Sequence, residues 1–276
     1  MESMQGVKKF FLLFVVAMVM SGCSSLSTEK KEEKNAAEDK PLPKLRQLNK
    51  VEAVKAHLKA GVASLESGDM SRAHRHLKRA LELDDKSAEV HNALAIFYQV
   101  EKDNAQEEKH FKRALALDSD NPSINHNYGS SVCRQGRYDE ARKYLTKAAS
   151  DYRYGKRAET YENLGRCEIL AGNTVAAESA FEDAYRLNQK LPKTLLGLAS
   201  IKFGKGQNKS AYDLYQKFAQ LSKQNAESLW LGIRLERIFG NKDAQASYEL
   251  ALRQLYPGSK EYQLYQSSLK TTPSVP

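Results

Sequence analysis

From Val54 to about Leu269 the apolar residues of this chain recur at the three- and four-residue spacing of helices, and the stretches that carry them come in pairs. The first stretch of a pair holds a large apolar residue followed at once by a small one. The second holds Ala, then Leu or an aromatic residue, then Ala. Tyr128, Gly129, Ala141, Leu145 and Ala148 spell one such unit, and Leu164, Gly165, Ala177, Phe181 and Ala184 spell the next. Ala60, Gly61, Ala73, Leu77 and Ala80 form the first unit; Leu94, Ala95, Phe111 and Ala114 form the second, with Glu107 breaking the pattern. Two degraded units follow: Leu198, Ala199, Ala211 and Tyr215 with Phe218 in place of a small residue, then Gly232, Ala244, Tyr248 and Ala251. Small residues let two antiparallel helices approach closely, and the large ones fill the space between neighbouring pairs.

Glycines punctuate the pairs. Gly68, Gly136, Gly172, Gly206 and Gly240 each sit between two helical stretches, at spacings of 68, 36, 34 and 34. The first interval is two periods, with Lys102 where the intervening glycine would fall, and two extra residues around Asp151 to Gly155 account for the second. A 34-residue period of helix pairs resembles the tetratricopeptide repeat. The resemblance implies an all-α superhelix of about six helix-turn-helix units over residues 51–270. A terminal repeat needs a partner for its apolar face, which a helix from Ser259 to about Leu269 supplies with Tyr262 and Tyr265; residues 271–276 read as a loose tail.

The N-terminal end has a different character. Lys8 and Lys9 precede eleven uncharged apolar residues, Phe10 to Met20, and then Ser21-Gly22-Cys23. This reads as a signal peptide over residues 1–22, too short for a permanent membrane helix, which needs roughly 20 apolar residues. Ser21-Gly22-Cys23 resembles a lipobox, with Met20 in place of the usual leucine. That resemblance implies a lipid-modified Cys23 as the mature N-terminus, and Ser24 in place of aspartate implies sorting to the outer membrane, facing the periplasm. Each buried methylene contributes about 0.8 kcal/mol, so several acyl chains hold a protein firmly. The alternative is a secreted protein with an ordinary Cys23. Residues 23–50, rich in Ser, Lys, Glu, Ala and Pro, read as a disordered tether; some 25 residues reach on the order of 25 to 30 Å.

Removing the signal peptide takes the formal charge from +9 to +8. A basic surface can meet anionic lipid, nucleic acid or an acidic protein, but a periplasmic lipoprotein does not meet nucleic acid. Arg72, Arg75, Lys78 and Arg79 read as the solvated face of one helix. No Gly-rich loop, His-Glu-x-x-His, Gly-x-Ser-x-Gly or metal-spaced cysteine set occurs. His74 and His76 point to different sides of one helix and make a poor metal pair. The expectation is a monomeric binding protein, not an enzyme, with no metal, small-molecule substrate or cofactor beyond the covalent lipid.

Cys133 and Cys167 fall in the first helices of adjacent units. An oxidising periplasm permits a disulfide between them; the other reading is two small buried thiols. The concave side of such a stack is lined by first helices. Helical spacing assigns to it Leu58, Val62 and Leu65, then Asn92, Ile96 and Gln99, then His126, Ser130 and Arg134. Exposed Leu, Val and Ile at one-turn spacing suit a docked peptide or amphipathic helix, unless helix packing buries them. Trp230, the single tryptophan, reads as packed.

Three stretches add a more specific resemblance: Asn127-Tyr128-Gly129 with Cys133-Arg134-Gln135-Gly136-Arg137-Tyr138 and Glu140-Ala141; Glu162-Asn163-Leu164-Gly165 with Cys167; and Ala226-Glu227-Ser228-Leu229-Trp230-Leu231-Gly232-Ile233-Arg234. With the lipobox and six units, the chain resembles the type IV pilus biogenesis and stability lipoproteins, the pilotins of the pilus secretin. The resemblance implies that the early groove binds secretin and that the anchor at Cys23 delivers it to the outer membrane for assembly. A periplasmic scaffold for barrel assembly or peptidoglycan synthesis is the rival reading.

Overall fold

The computed structural model describes residues 43–271. The signal segment 1–22, Cys23, the tether as far as residue 42 and tail residues 272–276 lie outside them. Among the described residues there are thirteen helices and no strands. Six antiparallel pairs run α1 (Pro43–Glu66) with α2 (Met70–Leu83), α3 (Ala88–Glu101) with α4 (Asn104–Leu117), α5 (Pro122–Arg134) with α6 (Tyr138–Ser150), α7 (Arg157–Leu170) with α8 (Thr174–Leu187), α9 (Pro192–Gly204) with α10 (Asn208–Leu221), and α11 (Ala226–Phe239) with α12 (Lys242–Leu255). Helix α13 (Lys260–Thr271) follows, and Tyr262 and Tyr265 pack on Leu229, Ile233 and Leu252 at the end of the stack.

The first helix is longer than its sequence reading. It begins at Pro43, so residues 43–50, assigned to the tether, form its opening turns. Proline fits the first turn of a helix, where its missing N–H has no partner to lose, and the Lys, Leu, Arg and Gln that follow favour helix.

The pairs form because one bulky side chain from each second helix fits a notch in the first. Phe181 of α8 is the clearest case, lying between Gly165 of α7 and Gly197 of α9. A Cβ at either glycine would come within 2.7 Å of its ring. Leu145 fills the same role against Gly129 and Leu77 against Gly61, and all three bulky residues are fully buried. Burying a side chain of this size contributes about 1.5–3 kcal/mol.

Turns inside the pairs end in the left-handed region. Gly68, Gly136, Gly172, Gly206 and Gly240 have φ between 73° and 80°, and Lys102 stands alone among non-glycine residues at 61°. Five of the six turns between helix α2 and α13 that join consecutive pairs, or the last pair to α13, span four residues; the exception is residues 151–156, whose two additional residues let Tyr154 set its edge against His126 at 6.2 Å. Side chains cap the helices that follow many of these turns: Asp69, Ser87, Asp103, Asn121, Asn225 and Asn241 each accept a backbone N–H.

A left-handed conformation costs an L-residue about 1–2 kcal/mol, of which glycine gives back part through its freer unfolded chain. Lys102→Gly is expected to stabilise the fold by about 0.5–1 kcal/mol, raising the melting midpoint by about 2 °C. Thermal unfolding followed by circular dichroism checks this; a lowered midpoint would refute it.

Candidate protein-binding groove

Consecutive first helices touch from α1 through α9, and α11 meets α9 through Arg234 against Phe203, so these helices form the inner layer of the stack. The nine residues assigned to the groove from sequence fall on this layer, but their surroundings differ. In unit one, Leu58 and Leu65 pack against the core cluster of Val54, Leu77 and Leu94, while Val62 between them stays 37% exposed. In unit two Ile96 packs against the cluster of Phe111 and Tyr128. The stripe is therefore less open than helical spacing alone implies, because neighbouring first helices lean close enough to cover most of it. Next to Leu58 an open cavity of about 400 Å³ lies between α1 and the start of α3, lined by Val51, Val54, Lys50 and Lys55 on one side and Asp84, Ser87 and Glu89 on the other.

Of the remaining five assigned residues, Asn92, His126, Ser130 and Arg134 are tied up between units and Gln99 within unit two. Asn127 donates through Nδ2 to Asn92 Oδ1 at 3.1 Å, and Asn163 donates to Ser130 Oγ at 3.1 Å. Thr160 gives its hydroxyl hydrogen to the Lys156 carbonyl, so at 2.7 Å His126 Nδ1 must be the donor to Thr160 Oγ1. Glu107, which interrupts the small-residue pattern, is 2% exposed and accepts from Gln99 Nε2 at 2.9 Å, Ser131 Oγ at 2.6 Å and Arg134 Nη2 at 3.0 Å. A carboxylate buried this deeply requires such partners. It joins unit two to unit three, a role that its place in the sequence flagged without explaining.

Two histidine pairs were not read from the sequence. His57 and His76 meet through Nδ1 at 3.0 Å, and His91 and His110 meet through Nδ1 at 2.9 Å. Both pairs join a first helix to its second helix, and they occupy the same positions one repeat apart, which aligning the units would have revealed. His91 Nε2 lies 3.1 Å from the Asp85 carbonyl and so carries its hydrogen. Nδ1 of His91 then accepts, and His110 Nδ1 donates. His76 is thereby engaged with His57, whereas His74 stacks on Phe97 at 5.1 Å. Among the described residues no group of three or more His, Cys, Asp or Glu side chains is gathered for a metal ion, and no helix is long and apolar enough to cross a membrane.

At the centre of the stack the structure joins Cys133 of α5 to Cys167 of α7 by a disulfide, with Cα atoms 5.9 Å apart. Arg142 of α6 donates from Nη2 to Glu168 of α7 at 2.9 Å in the same region, holding that buried carboxyl below the usual range.

Comparison with known proteins matches tetratricopeptide repeat families to residues 58–122 and 120–190. The type IV pilus assembly protein PilF of Pseudomonas aeruginosa is 35% identical over 256 residues, covering 93% of this chain and 97% of that protein. The chain belongs to the PilF family. A solved structure from the functional characterization of Pseudomonas aeruginosa PilF superimposes with a TM-score of 0.77 at 38% identity, over 80% of this chain and 99% of that one. PilW, described as a widely conserved type IV pilus biogenesis factor, gives 0.66 at 26% identity, over 77% and 98%.

In this PilF-family chain the stretch from Ala226 to Arg234 is mostly packing. Leu229, Leu231 and Ile233 are buried, Gly232 lies against Tyr215 and Tyr248, and Asn225 and Ser228 form a capping box. Trp230 is half-buried, with its ring edge-on to Tyr265 at 6.4 Å.

The histidines give the folding of this chain a pH dependence. Burial, reinforced by His91 and Lys109, pushes His110 down to about 4, and burial with Lys156 does the same to His126. Burial also lowers His91. In the unfolded chain these groups titrate near about 6.5. Their contribution is therefore complete above about pH 6.5 and is lost as the pH falls toward 4, where the unfolded state binds more protons. The denaturant midpoint is expected to drop between pH 7 and pH 4.5, and His110→Asn with His126→Asn to flatten that slope. An unchanged slope in the double variant would refute the assignment.

Proposed function

We propose that this chain is a lipoprotein anchored through Cys23 that serves type IV pilus assembly by binding the pilus secretin and promoting its assembly into multimers at the outer membrane. The observation that carries the reading is kinship over nearly the whole length of a type IV pilus assembly protein, PilF, together with structural likeness to the pilus biogenesis factor PilW. The chain acts by binding rather than catalysis. Its recognition surface is the open end of the inner layer, where Val62 and the cavity beside Leu58 offer apolar contact flanked by Lys50, Lys55 and Glu89. A segment of secretin docks there, and the lipid supplies the destination.

The arrangement favours unit one over the middle of the groove on physical grounds. In units two to four the inner side chains already spend their hydrogen bonds on one another, so a partner would have to break bonds to gain bonds there. At unit one apolar surface is open and no such exchange is required.

The test measures the amount and membrane location of heat- and detergent-resistant secretin multimer in cells carrying the wild-type chain, no chain, Cys23→Ala or Val62→Glu. Loss without the chain, mislocalisation with Cys23→Ala, and reduction with Val62→Glu are expected. A buried charge at the centre of an interface costs about 2 kcal/mol or more, roughly thirtyfold in affinity. Normal outer-membrane multimer in all four strains would sink the reading.

A further inference from the structure

The far end of the inner layer carries a cation that the fold leaves without an acid. Arg234 of α11 lies with its guanidinium 4.5 Å from the ring centre of Phe203 on α9 and 5.0 Å from that of Trp230 on α11. Its hydrogen bonding among the described residues amounts to one long contact, 3.4 Å from Nε to the Trp230 carbonyl one turn back. Of the other half-buried arginines, Arg157 gives its Nε–H to the Ala149 carbonyl at 2.8 Å and the remaining three pair with acids. Arg137 pairs with Glu108 and Glu140, Arg142 with Asp139 and Glu168, and Arg237 with Glu249. Burial lowers the pKa of Arg234. Its terminal nitrogens are also absent from the buried polar atoms that lack partners, of which Asn125 Oδ1 is the single case among the described residues. They are open to solvent.

An aromatic ring against a guanidinium engages its face and leaves its N–H edge for an acceptor; a planar edge of this kind matches a carboxylate. The surface around it has a second component. Trp230 and Glu227 lie on the same side of α11 as Arg234, at positions three and four residues apart. Phe203 lies on the same side of α9 as Leu196. Glu227 and Leu196 in turn line a cavity of about 360 Å³ with Ile169, Leu170, Arg166 and Lys193. From Glu227 to Arg234 is about 10 Å along the helix, the reach of about three residues of extended chain.

We propose that the inner layer of units four to six is a second docking surface, for an extended segment of an acidic protein partner that sets an apolar side chain in the Ile169, Leu170 and Leu196 cavity and an Asp or Glu carboxylate on Arg234. Charge complementarity carries the choice of partner: Arg166, Lys193 and Arg234 face this surface against one lining acid, Glu227, whose charge Arg166 alone offsets, and the chain as a whole carries +9. The site lies at the opposite end of the stack from the unit-one surface and does not depend on it. It also gives Glu227, Trp230 and Arg234 a role in a stretch whose other residues are accounted for by packing.

Trp230 is the only tryptophan, so its emission reports on this site alone. The full chain in detergent is titrated at low salt with a capped, amidated peptide repeating Leu-Ser-Ser-Glu, and with its counterpart carrying Gln for Glu. A saturable change in emission is expected with the Glu peptide, roughly tenfold weaker with the Gln peptide, as befits loss of a charge-assisted bond. Arg234→Met is expected to remove the preference for Glu over Gln, Arg234→Lys to keep part of it, and Val62→Glu to leave it intact. No saturable change with the wild-type chain, equal binding of the two peptides, or an undiminished preference in a folded Arg234→Met chain would overturn the proposal. Should Arg234→Met fail to fold, the comparison of the two peptides on the wild-type chain decides by itself.

Discussion

The stack depends on a steric fit: a bulky side chain on each second helix requires a residue with little or no side chain on the helices it faces. Phe181 between Gly165 and Gly197 shows the constraint at its most severe, since it fixes the spacing within unit four and the spacing to unit five at once. Close packing of this kind tolerates neither a void nor an added methyl group without cost. The inner layer exists because these notches bring first helices alongside one another. Everything read as a recognition surface is a by-product of that spacing.

Polar groups then set the register that apolar packing leaves loose. Glu107 gathers three donors from units two and three. Glu162 of α7 accepts from the Thr194 backbone N–H at 3.0 Å and its hydroxyl at 2.9 Å, capping α9, whose own N-cap residue Leu191 has no side chain able to do so. Glu178 of α8 accepts from Lys202 at 2.8 Å and from Lys205 of the following unit, which keep its carboxyl below the usual range. A buried carboxylate is a poor source of net stability but penalises every arrangement that separates it from its donors. Units two to five thus complete one another's hydrogen bonding, and the stack gains a preferred alignment at these seams.

Much of this was legible in the sequence for a physical reason. Helix pairs repeat, so Gly129 and Leu145, Gly165 and Phe181 announce the same contact several times over, and glycine at a helix end marks a left-handed turn wherever it occurs. Pro43 was harder: a proline among charged residues suits a linker and a helix start equally well. The groove was legible as a set of positions but not as a surface. Helical spacing says that Leu58 and Ile96 face inward; it does not say how near the next helix stands, and that distance decides whether they meet solvent. Hydrogen bonds such as His126 to Thr160 link residues one repeat apart and depend on the same distance. His57 with His76 and His91 with His110 were visible as a repeat within the repeat once the units were aligned.

The link between Cys133 and Cys167 changes how such a stack bears a load. Units that touch only their neighbours come apart one at a time, like beads pulled from the end of a row. A covalent tie between the third and fourth units interrupts that sequence: a pull on the chain through α1 can peel two units, but at the third it meets a bond that helix unpacking does not break. Residues 133–167 then lie inside a closed covalent loop, so the middle of the stack cannot be drawn out to its full chain length by a pull from either end.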